Sequence, residues 1–201
     1  MRNGGYRGDD LTPILVVAIL CFVVYLATIA GNFFDYDLIP MLGLQPATFL
    51  ERPWTIVTNL FVHGNIWHIL ANMITLFFFG RFLASLVGTR SFYIIYFLGG
   101  IMGNVLFMLF AFIGFLTSPY STVIGASGAV FALGGALTVL TPKLKVFVFP
   151  IPMPIPLWVA VIGGFFIMSS PNIAWQGHLG GLLTGLAAGA ILRNRIRIVL
   201  R

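Results

Sequence analysis

Apolar positions along this chain gather into long runs, and the charged residues fall in the short stretches between them. The runs are Pro13–Phe34, Ile66–Val87, Phe92–Leu116, Ile124–Thr141, Pro156–Met168 and Trp175–Leu192. A helix crosses the hydrocarbon core of a bilayer with about 20 apolar residues. The pattern therefore predicts an all-α membrane protein, a bundle of six transmembrane helices in which the fourth is the shortest. The fifth run is also short, and prolines at 150, 152, 154 and 156 lead into it. Each proline removes a backbone N–H, so that stretch cannot be a regular helix. It is expected to be extended and covered by protein at the membrane interface, with a helix starting at Pro156 or Leu157. Between the first two runs, the segment from Phe34 to Trp54 is long and largely apolar, but Pro40, Gly43, Pro46 and Pro53 forbid one continuous helix. It reads as an interfacial loop resting in the outer leaflet.

Charge supports six spans. With that number, Arg2, Arg7, Arg81, Arg90, Lys143, Lys145, Arg193, Arg195, Arg197 and Arg201 share one face, and only Arg52 falls on the other. Basic residues concentrate on the cytoplasmic side of membrane proteins, which predicts that both termini are cytoplasmic. Residues 1–12 then form a short lead-in, 13–192 the six-helix core and 193–201 a basic cytoplasmic tail. Composition agrees: 59% of residues are hydrophobic and 8% charged, too few charges for a water-facing surface. The net charge of +6 does not indicate nucleic acid, because the basic residues lie in small clusters between apolar runs. The single cysteine, Cys21, lies inside the first run and reads as a packing residue. That run is too long for the core of a cleavable signal peptide and has no A-x-A exit.

Polar side chains inside a bilayer are costly and point to function. Counting up from the cytoplasmic ends at about 1.5 Å per helical residue, Ser127, His178 and His68 all reach ~20–22 Å. Three polar residues from three spans thus meet in one plane, ~8–10 Å below the outer surface of a ~30 Å core. Singly, each reads as a helix-packing residue; the common depth favours a site. A serine becomes a nucleophile when a base takes its proton, and His178 can be that base. Every acidic residue lies outside the spans, so a Ser–His dyad is expected. Gly125 and Gly128 flank Ser127 and permit a tight turn into a helix whose free N–H groups favour an oxyanion. If that helix begins near Ser127, water can fill the space above it. His68 and Asn72 share a helix face and can donate hydrogen bonds, whereas His63 lies nearer the surface and is expected only to shape the entrance. Gly177, Gly181, Gly185 and Gly189 make a close-packing face that fits Gly128, Ala132 and Ala136. Packing those faces brings His178 to Ser127, and Phe131 can sit beneath the imidazole.

His63-(x4)-His68-(x3)-Asn72, Gly125-Ala126-Ser127-Gly128 and His178-Leu179-Gly180-Gly181 with Gly185, in this order, resemble the rhomboid intramembrane serine proteases in their minimal six-helix form. The resemblance implies Ser127 as nucleophile and His178 as base. It implies an oxyanion hole from the Ser127 N–H, His68 and Asn72, with Gly181 and Gly185 supporting helix contact. It further implies cleavage of membrane-protein substrates in or near their transmembrane helices, with small residues at the cut and helix-breaking residues beyond it. The fifth helix and residues 169–176 are expected to gate entry. The expected home is a prokaryotic plasma membrane, with the lipid bilayer and transmembrane substrates as partners and no nucleic acid, metal or cofactor. Some positions depart from the family pattern: Thr55 follows Trp54 where arginine is common, Phe131 stands for tyrosine, and Ala84 stands where glutamate is frequent. The proline run is also unusual and is expected to stiffen the base of the gate. One rival is an inactive relative that binds membrane helices without cutting them. A channel or transporter would need charged or ion-coordinating residues at midplane, and a metalloprotease would need H-E-x-x-H.

Overall fold

The computed structural model describes residues 10–148, 150–168 and 174–199. Its helices are α1 (Thr12–Phe33), α2 (Ile39–Leu42), α3 (Thr55–Thr58), α4 (Ile66–Val87), α5 (Thr89–Phe112), α6 (Ser127–Leu140), α7 (Leu157–Ile167) and α8 (Trp175–Val199). Two short strands, β1 (Lys145–Val146) and β2 (Ile155–Pro156), pair antiparallel. Among the described residues, α1, α4 and α5 are long and apolar enough to cross a membrane, while α6 and α7 are apolar but shorter.

Helix boundaries follow local chemistry. Pro13 sits in the first turn of α1, where its missing N–H costs nothing. The Asn65 side chain caps α4 by accepting from the His68 N–H at 2.9 Å. Gly88, at φ +82°, separates α4 from α5. The third predicted run, Phe92–Leu116, is shifted: α5 starts at Thr89, directly after that glycine, and stops at Phe112. Gly114 and Leu116 both take positive φ and turn the chain away. Arg90 therefore lies inside a helix.

Two further expectations are corrected. The fourth helix is short, at 14 residues, but α7 is shorter still, at 11. The basic stretch after Leu192 continues the last helix, since α8 runs to Val199. The proline run is not covered by protein: it is the loop of the β1–β2 hairpin, and residues 150–154 are exposed. Prolines 150, 152 and 154 lack the N–H that a ladder needs, so pairing is confined to two residues on each side. The lead-in at residues 1–9 and the gate residues 169–173 lie outside the described residues.

The segment from Phe34 to Trp54 is broken as its prolines require, into α2 and a tight turn at Pro46–Thr48. Arg52 Nη1 donates to the Pro40 carbonyl at 2.5 Å, Trp54 Nε1 to Met41 at 3.0 Å and the Thr58 hydroxyl to Leu42 at 2.7 Å. Leu44 and Val123 exchange backbone hydrogen bonds of 3.0 and 2.8 Å, which ties this loop to the segment entering α6.

The centre of the bundle is α6, buried without interruption from Ala129 to Leu137. A helix apolar on every face belongs in the interior, and α8, α5, α4 and α7 surround it. On the outside, α1 packs Ile14, Val17 and Cys21 inward and leaves Leu15, Ile19, Val23 and Leu26 exposed.

Candidate active site

The site begins at a turn. Gly125 adopts φ +112°, which side-chain-bearing residues rarely tolerate. A Cβ there would also stand 2.6 Å from Nε2 of His68, so the imidazole lies against bare backbone. The Gly125 N–H donates to the Asn59 carbonyl at 2.9 Å. Asn59 is in turn held by Asn104 of α5: each amide donates to the other, at 3.0 and 2.9 Å, and Asn104 also donates to the Ile56 carbonyl at 2.8 Å. Both asparagines are buried. Sequence reasoning missed this pair, although a lone asparagine in the middle of an apolar span was a usable signal.

Ser127 is the first residue of α6, and no side chain caps that helix end. Its first N–H groups therefore have no intrahelical partner, and the positive end of the helix dipole lies at the hydroxyl. The neighbouring helix brings the imidazole. A Cβ on Gly181 would run into the Gly128 carbonyl, and one on Gly185 into the Ala132 carbonyl, so α6 and α8 touch backbone to backbone. The small-residue faces predicted to meet do meet. The same is true of α5, where a Cβ on Gly99 would overlap Ala132 and one on Gly103 would stand 2.5 Å from the Gly177 carbonyl.

This packing sets His178 Nε2 at 2.7 Å from Ser127 Oγ, with both residues buried. Phe131 lies beside the imidazole, ring centroids 4.8 Å apart and planes inclined at 36°. Nδ1 of His178 is buried without a hydrogen-bond partner among the described residues, and none of their carboxylates orients the ring. Close packing and the phenyl face hold it instead.

His68 is half-buried and meets His63 edge-on, at 4.9 Å and 66°. His63 does not shape an entrance: it is buried behind His68, with Nδ1 3.2 Å from the Phe61 carbonyl. Asn72 is buried on the same face of α4, and its amide donates back to the His68 carbonyl at 2.9 Å. One amide proton stays available, since the NH₂ group has two. Asn72 and Ser127 both line a cavity of about 870 Å³ that runs between α4 and α7. Its walls are mostly apolar, including Phe78, Val130, Leu157 and Val161.

The fold thus places a hydroxyl–imidazole pair at a free helix end inside an apolar helical bundle. Residues 50–195 match the Rhomboid domain. The chain belongs to the rhomboid family and is an integral membrane protein. It is 29% identical over 189 residues to Rhomboid protease GluP of Bacillus subtilis, covering 92% of this chain and 36% of that protein. It is 32% identical over 150 residues to Rhomboid-like protease 3 of Toxoplasma gondii, covering 71% and 52%. Rhomboid protein 1, mitochondrial, of Saccharomyces cerevisiae is 28% identical over 165 residues, covering 73% and 45%. The chain thus spans about a third to a half of the length of these relatives.

Proposed function

We propose that this protein is an intramembrane serine endopeptidase acting on transmembrane protein substrates. The observation that carries the reading is the 2.7 Å contact between His178 Nε2 and Ser127 Oγ at the uncapped start of α6. Ser127 Oγ attacks the scissile carbonyl as His178 Nε2 takes its proton. The tetrahedral oxyanion is held by the Ser127 N–H, the His68 ring and the remaining amide proton of Asn72. His178 then protonates the leaving amine, leaving an ester on Ser127. Water, deprotonated by the same imidazole, hydrolyses that ester and frees the serine. The reading requires no metal or cofactor.

The geometry around the dyad suits a helical substrate. The cavity between α4 and α7 reaches Ser127 from the side, so a substrate segment can approach from the bilayer while α7 acts as gate. In this reading α1, α4, α5, α6, α7 and α8 are the six crossings. The basic clusters support the reading that both termini are cytoplasmic, with the dyad open toward the outer face of a prokaryotic plasma membrane.

Labelling with a fluorophosphonate probe tests the reading. In the detergent-solubilised protein, labelling is expected for the wild type and its loss in both Ser127→Ala and His178→Ala. Cleavage of a co-reconstituted transmembrane substrate should be lost in the same variants. A folded wild type that neither labels nor cleaves would instead indicate a relative that binds membrane helices without cutting them.

A further inference from the structure

The β1–β2 hairpin between α6 and α7 has no role in the chemistry above, yet it exposes a distinctive set of side chains. Phe147 is 77% exposed and Met153 62%, and Ile151 is exposed beside them. Lys143 and Lys145, at the root of the hairpin, are also exposed. The backbone of the loop suits a poorly hydrated setting. Pro150, Pro152 and Pro154 have no N–H to leave unsatisfied, and the Ile151 N–H is used by the Val148 carbonyl at 2.7 Å.

Position in the fold narrows what this surface meets. The hairpin follows the end of α6 opposite Ser127, about 20 Å along the helix. Asp35, Asp37 and Glu51 belong to the loop joined to the Ser127 end through Leu44 and Val123. Asp10 is near Tyr93 of α5. Lys143 and Lys145 form a cationic rim beside an apolar loop, at the end of the bundle away from Asp35, Asp37 and Glu51. The hairpin is also joined to the gate: the Leu157 N–H, at the start of α7, donates to the Leu144 carbonyl at 2.9 Å. Leu144, Lys145, Val146 and Phe147 border the cavity as well.

We infer that this hairpin is a lipid-binding foot, with Lys143 and Lys145 on the phosphates of anionic headgroups and Phe147, Ile151 and Met153 in the acyl boundary beneath them. Engagement draws the floor of the cavity toward the bilayer and favours the open position of α7, so anionic lipid speeds cleavage of membrane substrates. The regulatory half rests on the protease reading; the binding half does not.

The test uses the full chain in vesicles of phosphatidylcholine alone and of an equimolar mixture with phosphatidylglycerol. Met153→Cys carries an environment-sensitive nitrobenzoxadiazole dye, and the wild type, whose Cys21 is buried, supplies the background. Blue-shifted emission, quenched by acyl-chain quenchers and stronger in the anionic vesicles, is expected. Lys143→Gln with Lys145→Gln should remove the anionic-lipid part, a shift of roughly five-fold in insertion per lysine. High salt should weaken it similarly. In the same vesicles, the ratio of cleavage rates between anionic and neutral lipid should exceed one in the wild type and approach one in the double variant. Water-like emission in both vesicles, as for a loop that binds a soluble protein, overturns the foot. An anionic-lipid effect that survives in the double variant also overturns it. An inserted dye in a protein that cleaves nothing keeps the foot and removes the protease reading. Cleavage with a water-exposed dye does the reverse.

Discussion

On one side α6 presents Gly128, Ala132 and Ala136 to α8, and a Cβ added at Gly181 or Gly185 would meet backbone carbonyls. On its other side, a Cβ added at Gly134 would meet only side chains, Phe79 at 3.0 Å and Val161 at 3.2 Å. Backbone cannot yield without moving a helix, whereas a side chain can change rotamer. The α8 side fixes the 2.7 Å contact of the dyad, and the α4–α7 side bounds an adjustable cavity. Alignment and access are thus assigned to opposite faces of a single helix.

The largest expected effect comes from breaking the rigid face. Gly181→Val should cost about 3 kcal/mol or more of stability, since no repacking removes the overlap with Gly128. Fluorophosphonate labelling should be lost as His178 is pushed from Ser127. Gly134→Ala is the matched control, expected to cost under ~1 kcal/mol because Phe79 and Val161 can shift by a few tenths of an ångström. Thermal unfolding in detergent measures both, and equal losses would erase the distinction between the faces.

Much of the rigid face was legible in the sequence. Four-residue spacing from Gly177 to Gly189 specifies a helix stripe, and helical rise alone brings Ser127 and His178 to one depth. Less could be read where the determinant is distant. Asn59 and Asn104 are 45 residues apart, and neither names its partner. The start of α6 was legible despite the apolar Ile124 and Ala126, because Gly125 permits the turn that leads into the helix at Ser127. The burial of His63 depends on how the Asn59–Phe61 turn folds back, which local hydropathy does not encode. For the proline run, the absence of a helix was predictable from missing donors, but its exposure was not.

The asparagine pair extends the rigid face to the turn before Ser127. Asn104→Leu leaves the buried Asn59 amide without its partner, which should cost about 2 kcal/mol and loosen the hold on the Gly125 N–H. Reduced labelling at unchanged expression is the expected sign. Wild-type labelling with wild-type stability would show that the turn holds itself.

Protonation probes the same alignment without a mutation. His178 accepts the serine proton only as neutral imidazole. Reactivity is therefore complete above the imidazole pKa and falls about ten-fold per pH unit below it. Labelling rates across the acid range in which the protein stays folded should show that decline, reversibly. A flat profile over the whole range would remove His178 as the base, whatever its distance from Ser127.

The smallest effect belongs to the adjustable face, and it separates access from chemistry. Val161 is buried, touches the space at Gly134 and lines the cavity between α4 and α7. Val161→Ala removes two methyl groups from a wall that already borders open space, so a cost of about 1 kcal/mol is expected. A small fluorophosphonate reaches Ser127 without parting α7 from α4, and its labelling rate should stay within about two-fold, under ~0.5 kcal/mol in barrier. On the protease reading, a transmembrane substrate has to fit the cavity itself, and its cleavage should rise as the wall recedes. If labelling and cleavage change together, Val161 acts on the dyad, and the two faces of α6 are not independent. If only cleavage changes, the side that holds the dyad is insulated from the side that admits the substrate, as backbone contact along α8 requires.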